Sequence, residues 1–257
     1  MSGHSHWSTI RRKKAAEDAK RGKLFTKLAR EIVIAIQEAG GDGDPETNFR
    51  LRMAIDKARG MSMPKDNIER AIKRGTGEDK SGAALEKMTY EGYGPNGIAM
   101  IIDVVTDNRN RSVAAVRHAL TKHNGSLGQP GAVAWQFNRK GSIEVPSKVD
   151  FEVLFEAAVM AGAEDVIEGE GEDHHQVITA STELHTVNEG LNDEGIKTEN
   201  AELIMVPQNE LELETNEAVK TLKLIDVLEE LDDVQKVFSN LTITDDAVAA
   251  YEATSGG

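Results

Sequence analysis

Three segments of the chain carry residues found in phosphate- or calcium-binding loops, and each lacks part of the required pattern. Gly92–Gly97 matches the G-x-G-x-x-G string, but it opens an apolar strand instead of the helix that would hold a pyrophosphate. Residues 75–81 end in Lys-Ser like a P-loop, but Asp79 replaces the glycine that completes the backbone cradle. Asp42-Gly43-Asp44 begins like a calcium loop, but Thr47 stands where the sharp turn needs glycine. The sequence therefore predicts turns at these three places.

The remaining candidates for catalysis or metal binding are few. The chain contains no cysteine, which excludes disulfides, thiolate metal sites and a cysteine nucleophile. His174-His175 lies in an acidic segment, and we interpret the pair as solvated surface rather than as metal ligands. No G-x-S-x-G elbow is present for a serine nucleophile. We therefore predict a protein that is not an enzyme and has no cofactor or metal ion.

Basic residues near the N terminus favour a different chemistry, the binding of phosphate groups. Residues 1–75 hold 17 Lys/Arg and 10 Asp/Glu, whereas the rest of the chain holds 13 Lys/Arg and 34 Asp/Glu. Such asymmetry is typical of a polyanion-binding module attached to acidic domains, although the acids can also serve solubility alone. The residues that we predict to bind nucleic acid are Arg11, Arg12, Lys13, Lys14, Lys20, Arg21, Lys23, Lys27, Lys65, Arg70 and Arg74.

Two further places are predicted as secondary contacts, each with an ordinary structural alternative. Trp7 can stack on an unpaired base, or it can pack on the neighbouring helices. The Thr106–Arg111 segment links a strand to a helix, where backbone N–H groups bind anions and where Arg109 and Arg111 supply positive charge. Alternatively, Asp107 or Asn108 caps the helix and the two arginines are surface residues.

The N-terminal residues that carry these charges are predicted to form three helices. Leu24, Leu28, Ile32 and Ile36 give an apolar stripe on a helix over about 12–38. Asp44-Pro45 predicts the start of a second helix that ends at Gly60, and Ser62-Met63-Pro64 opens a third that ends at Gly75. Short connections between three helices indicate a small bundle.

Beyond residue 84 the pattern changes to an α+β class. Strands are predicted at 85–93 and 98–105, a helix after Asn108, and a glycine-rich hinge at 125–131. A hairpin at 133–138 and 142–146 and a helix from Phe151 follow, and then further strands and helices that include strands at 210–214 and 234–239. The pattern alone leaves open whether the last segment forms its own domain or completes the unit at 84–123. The longest apolar run, Ile98–Ile102, is too short to span a membrane, and residues 1–10 lack a signal sequence, so we expect a cytoplasmic protein.

Several ordered motifs resemble those of one protein family. They are Gly3-His4-Ser5-His6-Trp7 with the basic run to Lys14, Asp18–Lys23, Met63–Ile68, Tyr90–Pro95, Thr106–Arg111 and Leu228–Val234. Nearly end to end, the chain resembles the YebC/PmpR family of bacterial regulators, which includes the mitochondrial translational activator of cytochrome c oxidase subunit one. Two positions depart from the family pattern, since His6 stands where lysine is usual and Ser112 where threonine is usual.

The resemblance implies an organisation of three domains and a role in gene expression. It implies a basic helical domain at 1–75, a discontinuous α+β domain at 84–131 with 208–243, and an inserted α+β domain at 132–207. Family members are described as DNA-binding transcriptional regulators, and others are associated with the ribosome and the translation of proline-rich chains. Three hypotheses follow: a DNA-binding transcriptional regulator, a translation factor bound to ribosomal RNA, and a protein-interaction scaffold that acts through its acidic domains.

Overall fold

A computed structural model describes residues 18–79, 83–169 and 174–255, with only the backbone described for 18–20. The described residues form eight helices and two four-stranded sheets, which confirms the predicted α+β class. The helices are α1 (Asp18–Glu38), α2 (Phe49–Gly60), α3 (Lys65–Gly75), α4 (Arg109–Lys122), α5 (Phe151–Ala161), α6 (Leu184–Asp193), α7 (Thr215–Glu229) and α8 (Asp245–Ser255). The strands are β1 (Glu86–Tyr93), β2 (Ala99–Thr106), β3 (Ser126–Leu127), β4 (Phe137–Pro146), β5 (Asp165–Ile167), β6 (His174–Ala180), β7 (Asn200–Pro207) and β8 (Val234–Ser239).

The first three helices pack through the apolar stripe that the sequence predicts. Leu28, Ile32 and Ile36 of α1 are buried, as are Leu51 and Ile55 of α2. The prediction that Asp44-Pro45 starts the second helix is wrong. Asn48 is the N-cap, because its side-chain oxygen accepts a hydrogen bond from Leu51 N while its amide donates to the Ala35 and Asp42 carbonyls.

Ion pairs along the bundle fix the directions of its helices. Arg50 pairs with Glu38 and Lys57 pairs with Glu31, so α2 runs antiparallel to α1. A Cβ on Gly75 would lie 2.7 Å from Ile36 Cδ1, so α3 returns to the end of α1 at which α2 began. Helices α1 and α3 therefore run in the same direction, and glycine is needed where α3 approaches Ile36.

Residues 86–138 and 205–255 belong to one compact unit built on a sheet of order β3-β1-β2-β8. Strand β2 is the apolar centre of this sheet, since Met100, Ile101 and Ile102 are buried. It pairs antiparallel with β1 on one side and with β8 on the other. Because β8 follows the 139–204 segment in the chain, that segment is inserted into the fold of this unit.

The described residues of 18–85 and 139–204 belong to a second compact unit. Its sheet has the order β5-β6-β4-β7, and α5 and α6 pack together beside it around Leu154, Val187 and Leu191. The predicted hairpin at 133–146 is wrong, because β4 continues through it as one strand. Gly141 has a turn-like sequence around it, but it lies in β4 opposite Thr179, where a Cβ would lie 2.2 Å from the Thr179 hydroxyl oxygen.

Three other sequence expectations differ from the structure. The predicted strand at 210–214 is reduced to a single bridge between Leu211 and Leu241. Helix α8, whose buried side chains are Ala247, Val248 and Tyr251, was not among the predicted helices. The predicted hinge at 125–131 contains β3, which pairs with β1.

Glu91 holds the loop that follows β3. One of its carboxylate oxygens accepts a hydrogen bond from Gly131 N at 2.7 Å, and the other accepts from Val133 N at 2.7 Å and Ala134 N at 2.8 Å. Burial by itself would raise the pKa of Glu91, but the three backbone N–H groups hold it below its ordinary value of about 4.5. The ionised carboxylate thus accepts the hydrogen bonds that a neighbouring strand would otherwise accept from these three N–H groups.

We predict that Glu91→Gln destabilises this unit by about 1–3 kcal/mol at neutral pH, because charge-assisted hydrogen bonds are lost. A lowered pKa in the folded state stabilises the fold above the unfolded-state pKa, and this contribution is lost as the pH falls through the folded-state pKa. Urea denaturation at several pH values should therefore show the wild-type advantage at neutral pH and its disappearance in acid. Glu212→Gln, an exposed glutamate in the same unit, is the control, and an equal effect of both variants would contradict the prediction.

Candidate nucleic-acid interface

The predicted basic residues of α1 lie on the half of the helix that is least covered by the bundle. Arg21 and Lys23 are exposed, and Lys27 is half-buried. Lys20 is described only in its backbone, and Arg11, Arg12, Lys13, Lys14 and Trp7 lie outside the described residues. The apolar side chains at 32–36 are buried, so α1 changes along its length from a basic exposed half to an apolar packed half.

The predicted residues of α3 lie away from the packed face of that helix. Ile68 and Ala71 are buried, whereas Lys65 and Arg70 are exposed and Arg74 is half-buried. The Lys65 ammonium lies 3.4 Å from Glu69, with its side chain 87% exposed. Arg74 Nη2 donates a hydrogen bond to the Ala83 carbonyl oxygen at 2.9 Å, so this guanidinium is partly engaged with the segment after α3.

The predicted basic residues of α1 and α3 lie at similar levels along the axis of the bundle. Gly75 contacts Ile36, and α1 and α3 run in the same direction with a rise of about 1.5 Å per residue. Counting back along both helices places Lys65 near the level of Lys27. The exposed half of α1 and the start of α3 therefore lie at the same end of the bundle.

The basic residues of α2, by contrast, are each paired with an acid. Arg50 pairs with Glu38, and Arg59 Nη1 lies 3.2 Å from Asp56. Arg52 lies 3.6 Å from Glu189 of α6. These pairs neutralise charges that the sequence analysis had counted as part of the basic domain.

Lys57 is the most buried of these cations. Its ammonium lies 3.2 Å from Glu31 of α1 and 3.4 Å from Glu202 of β7. Burial alone would lower the pKa of Lys57, but attraction to the Glu31 and Glu202 carboxylates outweighs it and raises the pKa above its ordinary value. Lys57 stays charged at neutral pH and joins α2 to the inserted sheet.

Apolar and aromatic contacts complete the docking of α2. Phe49 and Met53 pack against the core of the 139–204 segment. The Phe49 ring lies 4.3 Å from the His185 ring, centroid to centroid, and the Arg52 guanidinium lies 5.6 Å from the Phe49 centroid. This face of α2 is therefore covered within the unit, whereas Arg21 and Lys23 of α1 and Lys65 and Arg70 of α3 are exposed.

The second predicted contact, at 106–111, adopts the capped arrangement. The Asn108 side-chain oxygen accepts a hydrogen bond from Arg111 N at 3.0 Å, which caps α4. Arg109 pairs with Glu86, and Arg111 Nη2 lies 2.8 Å from Asp107. Each arginine proposed to meet phosphate is thus bound to a carboxylate of the same unit.

Asp233 is the centre of this junction, and the sequence analysis missed it. Its buried carboxylate accepts hydrogen bonds from Ser112 Oγ at 2.7 Å and Thr106 Oγ1 at 3.1 Å. Arg111 Nη2 also donates to it at 2.9 Å, and hydrogen bonds to Asp233 and then to Asp107 raise the pKa of Arg111. The hydroxyl of Ser112 is needed here, which explains why serine can replace a threonine. No local signal marks Asp233, because these partners are more than 120 residues away in the chain.

An exposed aromatic residue was also missed. Trp135 follows the loop held by Glu91, and its side chain is 70% exposed. Its indole N–H donates to the Ala132 carbonyl at 3.2 Å, and its own carbonyl accepts from Gln208 Nε2 at 2.9 Å. The ring is therefore held in place and presented to solvent. In the sequence it stood in a predicted strand, where an aromatic residue is ordinary.

The histidine pair that the sequence placed on the surface is part of a strand. His175 is buried, with Nδ1 accepting from Gly169 N at 3.1 Å and Nε2 lying 2.9 Å from the Val149 carbonyl. His174 Nε2 lies 2.6 Å from Glu199. Among residues 18–79, 83–169 and 174–255, no cluster of three or more potential ligands is arranged to hold a metal ion.

The Gly92–Gly97 segment contains a turn, as the sequence predicts. Residues Pro95–Gly97 form a single turn of 3-10 helix between β1 and β2, and no α-helix begins there. In the same described ranges, no helix combines the length and the apolar character that crossing a membrane would require.

Comparison with known proteins places this arrangement in a family. A family model described as the TACO1/YebC protein N-terminal domain matches residues 5–78, and one described as the TACO1/YebC second and third domain matches residues 85–241. The chain belongs to the TACO1/YebC family. This confirms the resemblance found in the sequence.

Relatives of known sequence and structure support this membership. A protein of Chlorobium luteolum is 53% identical over 98% of this chain and 100% of its own length, and is named a probable transcriptional regulatory protein. A relative from Acidithiobacillus ferrooxidans with the same name is 53% identical over 99% of this chain and 100% of its own. The crystal structure of a conserved hypothetical protein from Aquifex aeolicus superposes with a TM-score of 0.81 at 46% identity, covering 89% of this chain and 93% of that one. In the TACO1/YebC models the helical part is separate from the two domains that follow.

We predict that Asp233→Asn lowers the free energy of unfolding by about 2–3 kcal/mol, because a buried acceptor shared by two hydroxyls and a guanidinium loses its charge. Urea denaturation followed by circular dichroism measures this change. Asp232→Asn, the exposed neighbour, is the matched control and should change the free energy by less than about 0.5 kcal/mol. Equal effects of the two variants would show that the junction contributes little to stability.

Proposed function

We propose that this chain is a non-enzymatic regulator of gene expression that binds nucleic acid through the basic residues of α1 and α3 and the basic run that precedes them. The observation that carries the proposal is the division of charge within the helical bundle. Arg21, Lys23, Lys65 and Arg70 are exposed on α1 and α3, whereas Lys57, the least exposed cation of α2, is held between Glu31 and Glu202. Phosphates attract exposed cations, and the release of counterions makes such binding strong at low salt.

The target that we put first is DNA, with the chain acting as a transcriptional regulator. The relatives from Chlorobium luteolum and Acidithiobacillus ferrooxidans carry names of that kind. The connection from α2 to α3 is only Met61–Pro64, a length typical of a helix-turn-helix. In such an arrangement α3 would present Arg70 and Arg74 to the duplex, while the docked α2 supports it.

The alternative target is ribosomal RNA, with the chain acting as a translation factor. The exposed, fixed ring of Trp135 favours this alternative, because unpaired RNA bases stack on aromatic side chains. Duplex DNA offers no unstacked base to such a ring. The two targets therefore differ in whether Trp135 contributes to binding. In both cases we propose a cytoplasmic protein that needs no cofactor.

We predict that Arg21→Gln/Lys23→Gln/Lys27→Gln lowers nucleic-acid affinity at least tenfold at low salt, because three cations that face phosphates are removed. The slope of log affinity against log salt should fall by about three for duplex DNA and about two for single-stranded RNA. Fluorescence anisotropy between about 50 and 200 mM salt measures both quantities.

The matched control removes the same number of charges from the same bundle. Arg50→Gln/Arg52→Gln/Arg59→Gln changes residues already paired with Glu38, Glu189 and Asp56, and should leave the salt slope close to the wild type. Equal slopes for the two triple variants would contradict the proposed interface.

The target is decided by crosslinking in cells followed by sequencing of the bound nucleic acid. Reads on promoter DNA that disappear in an Arg11/Arg12/Lys13/Lys14 charge-removal variant would support the transcriptional role. Reads on ribosomal RNA that disappear in the same variant would support the translational role. Reads insensitive to the variant would refute both and move the function to the acidic domains.

A further inference from the structure

A basic cavity lies in the unit formed by residues 86–138 and 205–255. Its volume is about 260 Å³, and it is bordered by the Pro95–Gly97 turn, the end of α4 and the first turns of α7. Lys122, Lys220 and Lys223 line it together with His123. None of these residues belongs to the interface proposed on the helical bundle.

The cavity carries basic residues in a unit that is otherwise acidic. The segments 86–138 and 205–257 contain sixteen Asp/Glu and only eight Lys/Arg. Three of these eight cations line this one cavity, while Arg109 and Arg111 are bound to Glu86 and Asp233. Three of the eight cations of an acidic unit thus lie close together.

One acidic residue, Glu217, lines the cavity, and its carboxylate is bound by two other lining residues. Glu217 Oε1 lies 2.5 Å from the Lys220 ammonium, and its other oxygen accepts a hydrogen bond from Asn96 Nδ2 at 2.8 Å. The hydrogen bonds from Lys220 and Asn96 lower the pKa of Glu217, which therefore stays ionised at neutral pH. Glu217 balances Lys220 and leaves the charges of Lys122 and Lys223 in excess.

Lys122 and Lys223 lack such a partner among the residues that the structure describes. Lys122 is exposed at the end of α4, and Lys223 is half-buried on α7. No ion pair joins either of them to an acid of the described segments. Two ammonium groups without a carboxylate partner leave positive charge that a bound anion would neutralise.

The backbone around the cavity is fixed in shape. Asn96 and Asn124 both adopt left-handed conformations, with φ of 57° and 60°. The last carbonyl groups of α4 are satisfied by the chain itself, since the Leu120 carbonyl accepts from Gly125 N at 2.8 Å and the Thr121 carbonyl from Asn124 N at 3.3 Å. The C-terminal end of α4 therefore presents Lys122 and His123 beside a capped terminus.

We propose that this cavity binds a backbone phosphate of nucleic acid and so adds a second contact on the acidic unit. The inference rests on the proposed nucleic-acid function and deepens it. Lysine ammonium groups are compact charges with three donors each, which suit a phosphate oxygen. The volume lies below the roughly 300–1,000 Å³ of sites that enclose a whole small ligand, so it suits one phosphate with part of its sugar.

The test compares Lys122→Gln/Lys223→Gln with Arg117→Gln/Lys197→Gln in the full chain. Arg117 is exposed on α4 outside the cavity lining, and Lys197 is exposed on the inserted segment, so the control removes the same charge elsewhere. Fluorescence anisotropy with a short duplex DNA and a single-stranded RNA of equal length gives the affinity as a function of salt. Thermal melting of each variant verifies that the fold is kept.

The cavity variant should lower the salt slope by about one to two, with a similar loss for all sequences tested, while the control keeps the wild-type slope. A wild-type slope in the cavity variant, with nucleic acid still bound by the wild type, would overturn the cavity inference alone. Failure of the wild type to bind either probe would overturn the proposed function. Saturable binding of adenosine monophosphate that requires Lys122 and Lys223 would instead identify a free nucleotide as the ligand and overturn the backbone assignment.

Discussion

The buried ammonium of Lys57 is the constraint on which the division of charge in the helical bundle depends. A charge removed from water needs compensating partners, and Lys57 has two, Glu31 on α1 and Glu202 on β7. The pairing commits one face of α2 to the inserted sheet, and Phe49 adds an apolar contact on the same helix. This face of α2 is therefore covered, whereas Arg21 and Lys23 of α1 and Lys65 and Arg70 of α3 are exposed. The contact that holds this unit together therefore removes one face of α2 from solvent.

The carboxylates of the other unit have comparable structural roles. Asp233 joins the strand-to-helix junction to α4, and Glu91 supplies the acceptors for three backbone N–H groups of a loop. Glu217 orients Lys220 and the Asn96 amide. A strongly acidic composition suggests that the acids only keep the protein soluble. These three carboxylates instead hold backbone and side-chain groups in place. Replacing any of these three carboxylates would disturb the local structure that it holds.

The sequence predicted what depends on local spacing. The apolar stripe of α1 and the ends of α2 and α3 at Gly60 and Gly75 follow from residues within a few positions of one another, and the Asn108 cap was one of two alternatives for the 106–111 segment. The hairpin error had a physical cause, because Gly141 looks like a turn residue but is required for the close approach of Thr179.

The candidate site was harder to predict than the fold, because pairing between distant residues decides which charges are exposed. The partners of Lys57 lie 26 and 145 residues away in the chain, and no local sequence pattern predicts either of them. Arg109 and Arg111 looked like phosphate contacts for the same reason, since Glu86 and Asp233 are distant in the chain. A count of basic residues therefore overestimates a nucleic-acid surface unless the acids that neutralise it are known.

An acidic body can improve the selectivity of a nucleic-acid-binding protein. Negative surfaces repel phosphates, so a polyanion is attracted where cations are exposed, and the repulsion elsewhere acts against other orientations. In this chain exposed cations lie on α1 and on α3, and Lys122 and Lys223 line the cavity. A phosphate bound at either place would be surrounded by a repulsive background. The excess of negative charge, which at first argues against nucleic acid, would then help to fix how it is held.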